Sequence, residues 1–148
     1  MTDSKVFLDT SPLIYLLDDD ANFGEKTKAI LSSLSEQEAT FVTSVITCTE
    51  YLVVPYRNGN RLRIEAFWEL IADYPIILYP ITQQVATKAA EIRSQYRFKA
   101  MDSLQLAVAC IEGCSMFLTN DKQLCQFREI SCVTVEEWKY EVANSNRE

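Results

Sequence analysis

The feature of this sequence that most restricts its fold is the alternation of very short apolar runs with longer stretches of helical spacing. Lys5 to Leu8, Thr40 to Val45, Ile76 to Leu78, Ser115 to Leu118 and Cys132 to Val135 are brief, apolar or β-branched, and read as strands. Between them lie amphipathic segments. Phe23 to Leu34 places Ala29, Ile30 and Leu34 on one face, and Arg61 to Asp73 does the same with Ile64, Phe67, Trp68 and Ile71. Thr10-Ser11-Pro12 reads as the start of a short helix running through Leu13 to Leu17, with a hydroxyl as cap and proline in the first turn. Ile46 to Tyr56 and a segment opening at Thr82, with Val85, Ala89 and Ile92 at helical spacing, are further helices. Met101 to Ile111 is apolar over more than one stripe and is predicted to be central, with Gly113 at its C-terminal end. A short helix over Asp121 to Phe127 and a terminal helix around Trp138 complete the expectation.

Strands this short, separated by helices, imply parallel pairing with helices on both faces. The predicted fold is therefore α/β: a three-layer α/β/α arrangement around a central parallel sheet of about five short strands. With 148 residues the chain suits one domain, expected over 1–142, with a flexible tail over 143–148. The amino terminus lacks the pattern of a signal peptide, and no apolar stretch is long enough to span a bilayer. A cytoplasmic protein without membrane attachment is expected.

Composition removes several chemistries. There is no histidine, which excludes Ser-His-Asp and Cys-His catalysis. The five cysteines form no CxxC pair, so a zinc site is not expected, and they read as reduced, mostly buried thiols. Acid–base work falls to carboxylates, lysine, tyrosine or metal-bound water. The net charge of −7 disfavours nonspecific nucleic-acid binding. Yet Arg57, Arg61 and Arg63 cluster, as do Lys88, Arg93, Arg97 and Lys99, which leaves room for a local basic strip.

Ligands of parallel α/β sheets bind beyond the carboxyl ends of the strands. Asp9 follows the first strand directly, Glu50 sits early in the helix after the second, and Asp121 follows the fourth. Asp102 opens the helix leading into the fourth strand and can reach the same edge. Any one of these acids could be a turn or cap residue. Four in one pocket would repel and raise one another's pKa, and a cation among them would relieve that. Carboxylates without histidine or thiolate suit Mg2+ or Mn2+. One or two such ions would activate water and screen a phosphate. Ser11, Thr119 and Asn120 are candidates to hold the carboxylates in place.

The segments FLDTSPLIYLL, TCTE, MDSLQLAVA and FLTND, in this order from Val6 to about Val135, resemble the motifs of the PIN domain family. The resemblance implies metal-dependent ribonuclease activity, with Asp9, Glu50, Asp102 and Asp121 at the family's acidic positions. The chain's size is similar to that of VapC-type toxins of bacterial toxin–antitoxin pairs. That implies an RNA substrate, a cognate antitoxin that inserts a segment near the acidic groove, and a homodimer, for which a helix face bearing Phe67 and Trp68 is a candidate. One departure is Leu124, where the family often has an aromatic residue. Lys99 is a candidate phosphate contact. Arg93 and Arg97, four apart, are expected to share a helical face.

A non-catalytic RNA-binding or interaction module on the same fold is the alternative reading, and the acidic net charge favours it. Phosphatase chemistry is disfavoured. Asp9-Thr10-Ser11 lacks the second Asp of a DxD motif, and no GxxxxGK[ST] loop is present.

Overall fold

The computed structural model describes residues 4–139. Five strands, β1 (Lys5–Leu8), β2 (Thr40–Ser44), β3 (Ile76–Tyr79), β4 (Met116–Thr119) and β5 (Ser131–Thr134), form one sheet in the order β3-β2-β1-β4-β5. Every neighbouring pair is parallel. Six α-helices cover it: α1 (Thr10–Leu17), α2 (Gly24–Glu36), α3 (Val45–Arg57), α4 (Arg61–Asp73), α5 (Gln83–Gln95) and α6 (Ala100–Ile111). The predicted three-layer arrangement is the observed one.

The layers follow from the period of two along each strand. Val6, Leu8, Phe41 and Leu118 enter a core with Leu13, Ile30, Tyr51 and Phe67, from α1 to α4. Their neighbours Phe7, Val42 and Phe117 point the other way, into a core with Ile92 of α5 and Leu106 to Ala109 of α6. Phe7 and Phe117 stack across β1 and β4 with ring centroids 5.0 Å apart. The four consecutive residues Leu106 to Ala109 are fully buried, so α6 is the central helix its composition predicted. Gly113 ends it at φ +71°, in the left-handed region.

The strand order also locates the site. The chain builds β1, β2 and β3 outward on one side, then returns to place β4 and β5 on the other. The order reverses beside β1, and a crevice opens there at the carboxyl ends.

Several local expectations are corrected. Asp9 itself caps α1, accepting from the Thr10 amide at 2.9 Å; the hydroxyls of Thr10 and Ser11 do not, because the carboxylate lies one residue earlier and meets the free amide first. Val45 begins α3 and does not extend β2. The Asp121–Phe127 segment is a 3-10 helix over Lys122–Gln126. No helix surrounds Trp138 among the described residues; the chain turns over 135–137, held by the Thr134 hydroxyl accepting from the Glu137 amide. The expected tail over 143–148 lies outside the described residues. α5 ends at Gln95, so Arg97 stands beyond it and shares no helical face with Arg93. Phe67 is fully buried, stacked on Tyr51, while Trp68 is 45% exposed, so only Trp68 of that pair is offered to a partner. The five cysteines are free; Cys114 is buried, Cys48, Cys110 and Cys132 are half-buried, and Cys125 is exposed. No helix among the described residues is long and apolar enough to cross a membrane.

Candidate active site

Asp9 anchors the crevice. Its amide still donates to Leu118 O at 2.9 Å, continuing the β1–β4 ladder, so its side chain is fixed where the strand becomes a helix. Oδ1 accepts from the Thr10 amide at 2.9 Å and Oδ2 from Thr119 Oγ1 at 2.8 Å. The residue is only 6% exposed. Burial pushes its pKa up to about 6; the bonds from Thr119 and Thr10 oppose the shift, and the charges of Asp102 and Glu50 add to it.

The other three acids gather around it. Glu50 sits in the second turn of α3 and accepts from Thr10 Oγ1 at 2.7 Å. Asp102 lies in the first turn of α6, where the helix dipole favours an anion. Its pKa is raised, first by burial, then by the charges of Asp121 and Glu50, with Lys99 acting in the opposite sense. Asp121 caps the 3-10 helix, accepting from the Gln123 amide at 3.0 Å, and its own amide donates to Thr119 Oγ1 at 3.1 Å. Thr119 therefore ties Asp9 to Asp121, and Thr10 ties Asp9 to Glu50. Asp102 is joined to them through the electrostatic field alone.

All four acids thus stand at one sheet edge; the charges of Asp102 and Glu50 act on Asp9, and those of Asp121 and Glu50 on Asp102. Among the described residues, no ion pair involves any of them. Nor are any three His, Cys, Asp or Glu side chains drawn into a closed ligand set. Mutual repulsion keeps such a group open. The donors are hard oxygens carrying excess negative charge, and this chemistry fits Mg2+ or Mn2+.

Around this centre the supporting groups differ in part from expectation. Thr119 holds Asp9 as anticipated, but Asn120 turns away, donating to Tyr15 Oη at 2.9 Å and accepting from the Glu136 amide at 3.0 Å. Leu124, within the 3-10 helix, is buried, a packing role its apolar side chain supplies. Arg63 is paired with Asp18, across a recess of about 370 Å3 that Ile14, Tyr51 and Val54 also line and that Glu50 borders. Sequence reasoning passed over Thr10 as a partner of Glu50. It also passed over the buried Thr47 and Gln105, although a glutamine inside the apolar run LQLAVA was a visible irregularity.

The profile of the PIN domain family matches residues 6–130, most of the chain and all four acids. The chain belongs to the PIN domain family. Its fold is similar to solved members of toxin–antitoxin systems. VapBC2 from Rickettsia felis, bound to a DNA fragment from the promoter, is 12% identical with a TM-score of 0.73, over 88% of this chain and 98% of that one. FitAcB from Neisseria gonorrhoeae is 21% identical with a TM-score of 0.69, over 90% and 99%. The Mycobacterium tuberculosis toxin VapC20, which cleaves the sarcin-ricin loop, is 17% identical with a TM-score of 0.65, over 85% and 98%. At these identities the structures establish a shared fold. No curated protein matches the sequence significantly.

Proposed function

We propose that this PIN domain is a metal-dependent endoribonuclease and the toxin of a type II toxin–antitoxin pair. One observation carries the reading. A buried carboxylate, Asp9, is held at the switch point of the sheet with its pKa raised to about 6, the charges of Asp102 and Glu50 act on it, and among the described residues no Lys or Arg forms an ion pair with it. A fold stabilised for its own sake would have placed a Lys or Arg there, or no charge at all.

Asp9, Glu50, Asp102 and Asp121 are the residues that would hold Mg2+ or Mn2+. Bound there, the ion supplies an activated water and charge neutralisation for a phosphodiester. The protein's own part is positional. Thr119 and the Thr10 amide keep both oxygens of Asp9 oriented, Thr10 Oγ1 orients Glu50, and the Asp121 side chain is set by its 3-10 helix. Lys99, at the start of α6 three residues before Asp102, would meet a substrate phosphate. RNA as substrate and an antitoxin as partner follow the solved toxins of this fold; a homodimer follows the family resemblance.

The test is cleavage of labelled RNA with added Mg2+ or Mn2+, in the wild type, Asp9→Asn and Asp102→Asn. Cleavage that is lost with EDTA and in both variants supports the assignment; undiminished cleavage in both sinks it. The net charge of −7 favours one competing reading, a non-catalytic module. That reading predicts that Mn2+ leaves the thermal midpoint unchanged, whereas a metal site predicts a rise.

A further inference from the structure

Beneath the carboxylates lies a run of polar side chains that the proposed chemistry does not itself require. Thr10, Thr43, Ser44, Thr47 and Gln105 are all buried, four of them completely. Their protons can be assigned. The Ser44 hydroxyl donates to Gln105 Oε1 and accepts from the Ile46 amide at 3.1 Å. Gln105 Nε2 donates to Thr47 Oγ1 at 2.9 Å. Thr10 has one hydroxyl proton and gives it to Glu50 Oε1 at 2.7 Å. In the 3.2 Å contact between the Thr10 and Thr47 hydroxyls, the donor is therefore Thr47. Thr43 likewise gives its proton to Leu8 O at 2.8 Å, so the single Thr47 proton is shared between Thr43, at 2.8 Å, and Thr10, at 3.2 Å. The outcome is a connected network that runs from Ser44 through Gln105 to Thr47, whose proton serves Thr43 and Thr10, and from Thr10 on to Glu50.

The positions of these residues along their helices give the network its sense. Gln105 lies three residues after Asp102 on α6, Thr47 three before Glu50 on α3, and Thr10 directly after Asp9. Each interior polar group is thus within one turn of an acid on the same element. The network sets the relative rotation and height of α1, α3 and α6, the three helices that carry Asp9's neighbour, Glu50 and Asp102. Each donated bond also polarises the next, strengthening the last one at Glu50. Apolar side chains of the same shape would fill this space without needing partners.

We propose that Gln105 and Thr47 are positioning residues, which fix Glu50 relative to Asp102 for metal binding; the inference rests on the metal-dependent reading of the site. The experiment compares Thr47→Val and Gln105→Met, close in shape but without the hydroxyl or amide, with Thr47→Ser, which keeps the hydroxyl. Mn2+ affinity is titrated by electron paramagnetic resonance on folded protein, and kcat and KM are measured on RNA. Losing such a support weakens metal binding or turnover by about 10-fold or more. The expected result is that weakening in Thr47→Val and Gln105→Met, mostly in kcat, with Thr47→Ser near wild type. Wild-type Mn2+ affinity in both variants, with only a lower melting temperature, would overturn the proposal. A metal-free measurement separates it from the nuclease reading: urea unfolding of Thr47→Val, Glu50→Ala and the double variant. Non-additive effects support a network that reaches Glu50, and additive effects overturn it. Failure of Mn2+ to bind the wild type would overturn the nuclease reading instead, with the unfolding cycle still deciding whether the network holds Glu50.

Discussion

Strand β1 begins at Lys5 and delivers Asp9 just past its other end, and the two charges are treated in opposite ways. Lys5 has partners. Its ammonium donates to Tyr79 Oη and to Glu112 O, and stands 5.7 Å from the centre of the Tyr79 ring. Its pKa is raised, first by the hydrogen bond to Tyr79, which means that its surroundings favour the charge. Asp9 is deeper, carries an opposite-sign shift in effect, and faces further carboxylates. Its surroundings disfavour the charge. One end of the strand favours its charge; the other keeps an anionic pocket at a cost in stability, as the proposed function requires.

The sharpest way to break this contrast is Asp9→Asn. Metal-based charge stabilisation is worth several kcal/mol, so RNA cleavage should fall by about 100-fold or more, read in single-turnover assays. The same variant should melt higher than wild type at neutral pH without metal, because the buried charge is gone. A variant that lost stability there would show that Asp9 is held for the fold after all.

The pH dependence comes next in size. Between the ordinary value of 3.8 and about 6, the folded protein binds a proton on Asp9 that the unfolded chain has released. Folding stability therefore falls as pH rises through this window, by up to about 3 kcal/mol from this group. Denaturant titrations of metal-free protein from pH 4 to 7 should show that slope, and Asp9→Asn should flatten it. A slope of the other sign would mean that the pocket favours the ionised form.

Thr119→Val removes the hydroxyl that donates to Asp9 Oδ2. Leaving a buried carboxylate oxygen without its donor costs about 2 kcal/mol, measurable by urea unfolding, and should lift the Asp9 pKa further. Lys5→Met at the opposite end should have the smallest effect. Its partners are neutral and its head group is solvated, so both the melting temperature and RNA cleavage should stay close to wild type. A large loss of cleavage there would dissolve the distinction between the two ends.

Much of this was readable from residue pattern because it depends on periodicity and chain order. Alternation places Val6 and Leu8 on one face and Phe7 on the other, and the strand-end rule then places Asp9, Glu50 and Asp121 at one edge. What escaped depended on hydroxyl geometry across long sequence distances. Thr10 reads as a cap, yet its hydroxyl serves Glu50, 40 residues away, while Asp9 performs the capping. Thr47 and Gln105 meet across 58 residues; the glutamine is an irregularity in its apolar run, but no local pattern names its partner. The helix predicted around Trp138 fails for a related reason: Thr134 and Val135 bind the following turn back onto the end of β5, and that preference is not periodic.

The bond from Thr119 to Asp9 spans 110 residues, and it crosses the seam where β4 joins β1. The first three strands can pair in order of synthesis, but this seam closes only when the last part of the domain arrives. Until then Asp9 has one of its two donors, and Asp121 is not beside it. A growing chain therefore carries an inert pocket for most of its emergence, and acquires a complete one in a single late step. Under the proposed nuclease activity, the order of strands doubles as a timing device.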